Sequence, residues 1–269
     1  MKGRIAEKFR ELEKKGEKTL IGFLTAGDPT EIQSLSYVDA LVAGGVDIME
    51  FGLPFSDPIA DGPTIQKANQ RSLRAGMNTD RYFSLIKKIE KKHPYLPKIC
   101  MTYYNILLAR GLPRFCADCA KSGIDGLIIP DLPVEEAGPL KNACRKNSLD
   151  LIFIAAPTTT KTRLKLVVKS SSGFLYIVSF LGVTGSSSKL SSKIKPLIRE
   201  VRKINRAIPI CVGFGISTAH HVNEVCRSEA NGAIVGSAFI KLIEKNLGKR
   251  DKTKRDLERL TAILKKAAK

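Results

Sequence analysis

Tryptophan is missing from this chain and the aromatic residues amount to only 6%, so a core drawn from its 43% hydrophobic residues must be chiefly aliphatic. No apolar run reaches the ~18 residues that a membrane-spanning helix needs. The N-terminal stretch MKGRIAEKFRELEKKGEK mixes acids with bases and lacks an apolar signal core, so it reads as a helix of the mature protein. A soluble cytoplasmic protein is the expectation.

Motifs of several chemistries are also missing. There is no G-x-x-x-x-G-K-[ST] for a nucleoside triphosphate and no G-x-S-x-G for a serine nucleophile. His93, His220 and His221 have no cysteine or acid at metal-ligand spacing. Cysteines are scattered at 100, 116, 119, 144, 211 and 226, which is no disulfide framework in a chain of 269 residues. Cys116 and Cys119 form a C-x-x-C without a second pair and share one face of an expected helix, so they read as packing.

Acids are scarce relative to bases: 26 against 45, a net charge of +19. Such a balance attracts phosphates of any kind. The bases are spread along helices (Lys87, Lys88, Lys91, Lys92; Arg199, Arg202, Lys203, Arg206) and concentrated in 245–269, with no nucleic-acid-binding motif beside them. They read as solvated outer helix faces, and neither a nucleic-acid nor a membrane partner is expected.

What is present is alternation. Continuously apolar runs of strand length fall at 19–25, 46–51, 97–103, 126–130, 150–155, 173–180, 209–213 and 232–235. Helical patterns follow them at 30–41, 63–74, 80–92, 112–121, 134–146, 160–169, 192–205, 218–227 and 237–246. Thr30 or Asp28 can cap the first of these. Strands apolar on both faces belong to parallel sheets, and eight βα units closing on themselves make a (β/α)8 TIM barrel, an open doubly wound sheet being the weaker alternative. An extra N-terminal helix precedes the barrel and a basic helix, 251–266, follows it. No linker divides 1–269, so one domain is expected.

Barrel sites lie at the C-terminal ends of the strands. Glu50, one residue before the end of an apolar strand, should be poorly solvated and raised in pKa, suiting proton transfer, although a salt bridge would also suit it. The loop after it, GLPFSDPIADGPT, holds Asp57 and Asp61, either of which could simply cap a helix. Glycines end three other strands: Gly185, then Gly213 and Gly215, then Gly236 with Ser237 opening a helix. Exposed N–H groups and a helix N-terminus there favour a phosphate. Both acids would share a barrel mouth with that cradle, so a small phosphorylated molecule could span them. Tyr176, near the end of its strand, is expected at the same mouth.

These residues resemble a known family. GFLTAGDP at 22–29, EFGLPFSDPIADGPTIQKA from Glu50, MTYYN at 101–105, PDLPVEE at 130–136, GVTG at 182–185, GFGIS at 213–217 and GSA at 236–238 are similar, in order, to the α subunit of tryptophan synthase. The resemblance implies retro-aldol cleavage of indole-3-glycerol phosphate to indole and glyceraldehyde 3-phosphate, with no cofactor on this chain. It implies Glu50 as general acid/base and Asp61 as acceptor of the indole N–H. It also implies Phe23, Met101, Tyr103 and Tyr176 around the indole, and Thr184 meeting Asp57 when two loops close. Gly185, Gly213, Gly215, Gly236 and Ser237 would hold the phosphate. The implied partner is a β subunit carrying pyridoxal phosphate, in an αββα assembly that receives the indole.

Overall fold

Every residue of β1 (Thr19–Thr25) is buried, as its unbroken apolar sequence requires. It is the first strand of a computed structural model that describes residues 3–179, 188–213 and 215–269. The other strands are β2 (Ile48–Gly52), β3 (Lys98–Met101), β4 (Gly126–Ile128), β5 (Asp150–Ile152), β6 (Ile154–Ala155), β7 (Leu175–Val178), β8 (Ile210–Gly213) and β9 (Gly232–Val235). All adjacent pairs are parallel, in the order β5-β4-β3-β2-β1-β9-β8-β7-β6.

The two ends of that order, β5 and β6, are consecutive pieces of the single run 150–155. They are separated only by Phe153, whose carbonyl accepts from Tyr176 N at 3.1 Å. The first piece pairs with β4 and the second with β7, so one bent strand closes the barrel. The sequence expectation of eight strands thus holds, with this one broken in the middle.

Side chains alternate across a strand, so every second residue points into the lumen. Ile21, Ile48, Ile99, Ile128, Ile152 and Ile234 do so and form one cluster with Phe174, Tyr176 and Cys211. Ile5 and Phe9 of α1 (Arg4–Lys14) complete it, with the Phe9 and Phe174 rings 5.9 Å apart. The N-terminal helix therefore plugs the lumen at the end away from the strand C-termini. It is pinned there by Arg4, whose Nε donates to Asp125 at 2.7 Å and Nη1 to Glu90 at 2.9 Å. The fully buried Lys98 joins this network, donating to Glu90 at 2.6 Å.

Outward-facing residues such as Leu20, Leu24, Met49, Phe51 and Leu127 pack under the ring of helices. These are α2 (Glu31–Ala43), α3 (Pro63–Arg74), α4 (Thr79–Lys92), α5 (Tyr104–Arg110), α6 (Leu112–Ser122), α7 (Gly138–Lys146), α8 (Lys161–Ser170), α9 (Ser188–Ile204), α10 (Ala219–Cys226), α11 (Ser237–Lys245) and α12 (Arg250–Ala267). None among the described residues is long and apolar enough to cross a membrane. Thr30, not Asp28, caps α2; Asp28 instead receives both Arg71 Nε and Nη2, at 2.8 and 2.9 Å.

At the end of α2, Gly44 lies against α12 so closely that a Cβ would fall 2.5 Å from Thr261 Cβ and 2.6 Å from the Glu258 carbonyl. Gly44→Ala is expected to destabilise the protein by about 1–3 kcal/mol through forced separation of the helices. The midpoint of urea unfolding reads this directly.

One helix, α5, has no counterpart in the sequence expectation, and α7 begins at Gly138, four residues later than expected. The strand read as reaching Tyr103 stops at Met101, and α5 begins at Tyr104. Its N-cap is Tyr103, which supplies no side-chain cap; the Asp131 carboxylate, from beyond β4, accepts Tyr104 N at 3.0 Å instead. A cap supplied from the loop after the neighbouring strand leaves no local signal in the sequence.

Candidate active site

Glu50 shares the inward parity of Ile48 and Gly52 and sits in the lumen, 1% exposed. Its Oε2 has no hydrogen-bond partner, and no ion pair reaches it among the described residues. Burial, and then the neighbouring Asp61 charge, push its pKa up to about 8. A carboxyl so held is protonated at neutral pH and poised to exchange that proton.

Asp61 lies in the loop between β2 and α3. Its Oδ2 accepts from the Tyr103 hydroxyl at 3.1 Å and from Asn69 Nδ2 at 3.3 Å. Burial raises it to about 6, against the two hydrogen bonds that favour its ionised form. It does not cap α3: the N-cap is Gly62 with no side-chain cap, and only the Asp61 carbonyl is engaged, by Gln66 Nε2 at 2.8 Å. Two carboxyls with separated pKa values near neutrality are thus brought to one place.

Tyr103 fastens the loop. Its hydroxyl accepts from Ala60 N at 3.1 Å while donating to Asp61, and its ring stacks on Phe55 at 5.2 Å. Phe55 and Asn69 were not among the residues singled out from sequence. Asn69, a polar residue almost fully buried on the face of α3 that also carries Ala68 and Ser72, is the sort of signal that a helical-face analysis can find.

The lumen wall above the isoleucine cluster is built from Phe23, Met101 and Tyr176. The Phe23 ring fits because Gly52 and Gly236 have no Cβ; one added at either would lie 2.8 Å from Phe23 Cζ or 3.2 Å from Phe23 Cβ. Met101 is half-buried against the lumen cluster. Tyr176 points inward, and its pKa is pushed far up by burial and then by Glu50. Its hydroxyl crosses over Gly213, where any Cβ would collide with it. Gly213→Ala is therefore expected to displace the Tyr176 ring and raise KM by about tenfold, roughly 1.4 kcal/mol; steady-state kinetics measure it.

Among the other glycines, Gly215 has φ +82°, a left-handed conformation suited to glycine. Gly236 is the N-cap of α11 and offers no side chain to the helix start; its carbonyl accepts from Phe239 N and Ile240 N, which leaves the N–H groups of Ser237 and Ala238 without intrahelical acceptors. Asp57 is exposed and accepts from Ser56 Oγ at 2.5 Å. Thr184 and Gly185 lie outside the described residues, and so does the expected Asp57–Thr184 contact. Cys116 and Cys119 are buried on α6, with Cys116 Sγ 4.0 Å from Cys144 Sγ of α7. Among the described residues no three His, Cys, Asp or Glu side chains are grouped as metal ligands.

The fold is a (β/α)8 barrel, and the paired carboxyls Glu50 and Asp61 make its mouth a candidate site for proton transfer. Comparison with known proteins makes this more particular. The profile of the family "Tryptophan synthase alpha chain" matches residues 9–269. The tryptophan synthase alpha chain of Methanosarcina barkeri is 51% identical over 241 residues, covering 90% of this chain and 89% of that one. The crystal structure of tryptophan synthase subunit alpha from Legionella pneumophila superposes with a TM-score of 0.91 at 29% identity, over 100% of this chain and 99% of that one. A chain of M. tuberculosis tryptophan synthase in its aminoacrylate-bound form gives 0.87 at 32% identity, with both chains fully covered. This chain belongs to the tryptophan synthase alpha chain family.

Proposed function

We propose that the chain cleaves indole-3-glycerol phosphate to indole and glyceraldehyde 3-phosphate and hands the indole to a β subunit that makes L-tryptophan. The observation that carries this reading is the pairing of a buried, raised Glu50 with a separately held Asp61 in one barrel mouth.

The chemistry needs two proton movements and no redox step. A proton from Glu50 adds to the ring carbon that bears the glycerol chain, and positive charge spreads to the ring nitrogen. Asp61, ionised, accepts the indole N–H and stabilises that charge, an electrostatic term realised as the charge develops. Glu50, now a carboxylate, takes the proton of the adjacent glycerol hydroxyl. The carbon–carbon bond then breaks, its electron pair restores the aromatic ring, and the hydroxyl carbon becomes an aldehyde. Glu50 ends protonated as it began, so the cycle needs no cofactor on this chain.

Phe23, Met101, Tyr103 and Tyr176 would enclose the indole and exclude water. Gly185, Gly213, Gly215, Gly236 and Ser237 would receive the phosphate, with the uncapped start of α11 contributing its N–H groups. Thr184 would draw the closing loop towards Asp57. Pyridoxal phosphate would belong to the β subunit in an αββα assembly, and the reaction would take place in the cytoplasm.

The test is indole release from indole-3-glycerol phosphate, with and without a β subunit. Release that rises when the β subunit is added is the expected result. Full activity of the isolated chain, unmoved by a β subunit, would instead identify a free-standing lyase.

A further inference from the structure

The charge of this protein is distributed very unevenly. Residues 137–223 contain fourteen Lys and Arg but only two acids, Asp150 and Glu200. Elsewhere bases meet acids: Lys8 and Lys15 flank Glu11, Lys88 pairs with Glu31, Lys92 with Asp39, Lys252 with Asp256 and Lys265 with Asp47.

The fold gathers the acid-poor segment on one side. Its helices α7, α8 and α9 are consecutive around the barrel; α8 packs on α9, and Lys141 of α7 reaches Ser170 of α8 at 3.4 Å. Among the described residues eleven of the fourteen bases are exposed, including Lys141, Arg145, Lys165, Lys169, Lys195 and Arg199. Of these eleven, only Arg163 and Lys203 have a carboxylate within ion-pair distance, Glu135 at 3.3 Å and Glu200 at 2.6 Å. Like charges collected this way repel one another and raise a positive potential over the face.

The middle helix adds a second feature. Leu164, Val167 and Val168 turn inward, while Leu166 is 47% exposed. Residues three and four apart are neighbours on a helix, so Leu166 is ringed by Thr162, Arg163 and Lys169, with Lys165 beside it. An apolar centre inside a charged rim is the anatomy of a protein interface. Phe153, Phe174 and Tyr176 are buried and the exposed His220 lies on α10, so the described outer faces of α7, α8 and α9 present no ring on which a base could stack.

We propose that the outer face of α7, α8 and α9 docks an acidic segment of a partner protein, with an apolar side chain of that segment seated on Leu166 and its carboxylates on the surrounding Lys and Arg. The face lies outside the barrel mouth and is independent of the lyase reading.

The full-length chain, alone and with its β subunit, is titrated with a fluorescent helical peptide of alternating Glu and Leu blocks, and in parallel with polyglutamate, duplex DNA and phosphatidylserine vesicles. At about 0.15 M salt, where the Debye length is ~8 Å, the Glu–Leu peptide should bind best. Lys165→Glu with Lys169→Glu and Arg199→Glu should weaken that peptide by at least about tenfold. Leu166→Ser should weaken it too while leaving polyglutamate binding unchanged. Lys254→Glu with Arg255→Glu on α12 should change nothing, and lyase activity should stay at the parental rate in all three variants. The proposal is overturned if the α8–α9 variant binds like the parent, if the α12 variant loses as much, or if Leu166→Ser has no effect. Tighter binding of DNA or vesicles than of the peptide overturns it as well.

Discussion

Replacing Glu50 by Gln is expected to slow indole release by about 10²–10⁴-fold, the range that one general acid/base supplies. Gln keeps the shape and burial of the side chain but can neither give nor take the proton, so the loss should fall on kcat with KM little changed. The same variant should also be better folded at mildly alkaline pH. The Glu50 pKa is raised from 4.5 to about 8, so the folded state binds a proton that the unfolded state has released between those values. Its contribution to stability is therefore full below about 4.5 and lost as pH rises towards 8. The parental protein should lose more of its Tm between pH 5 and pH 8 than Glu50→Gln, a difference that calorimetry at the two values resolves. Parental lyase activity in Glu50→Gln would refute the mechanism.

Asp61→Asn is expected to lower kcat by about 10²–10³-fold, as loss of one electrostatic stabiliser does, and to reshape the pH profile. In the parent, kcat/KM should be bell-shaped. It falls below about pH 6, where Asp61 becomes protonated and can no longer stabilise the ring charge, and above about pH 8, where Glu50 has lost the proton it must deliver. The two limbs are macroscopic values of an interacting pair. Asn cannot titrate, so the acid limb disappears. The Asp61 charge is also one of the two causes raising Glu50, so the alkaline limb should move to lower pH. An unchanged acid limb in Asp61→Asn would assign it to another group.

Much of the barrel was legible because its strands are apolar on both faces and its helices carry local signals. Thr30, Asn78, Thr160 and Thr218 each cap a helix through their own side chains. Glu50 was legible as a candidate for a related reason: an acid inside an apolar strand needs either a salt bridge or a chemical role, and no ion pair reaches it among the described residues. What was hidden depends on partners far away in the chain. The start of α5 is capped by Asp131, 27 residues on. The break at Phe153 arises where one strand must pair with β4 on one side and β7 on the other.

The apolar runs, their spacing and the acids among the strand ends were determined by sequence alone, because burial on two faces and helix capping are properties of neighbouring residues. Tertiary structure alone decided that Asp61 leaves the α3 cap unused and accepts Tyr103 and Asn69, and that Tyr176 needs Gly213 beneath it. It also decided that most bases of the acid-poor stretch 137–223 stand exposed on the adjacent helices α7, α8 and α9, where only Arg163 and Lys203 of the described exposed ones reach a carboxylate. The Asp61–Tyr103 and Tyr176–Gly213 contacts join residues on or just beyond neighbouring strands, and their separation along the chain conceals that they will meet.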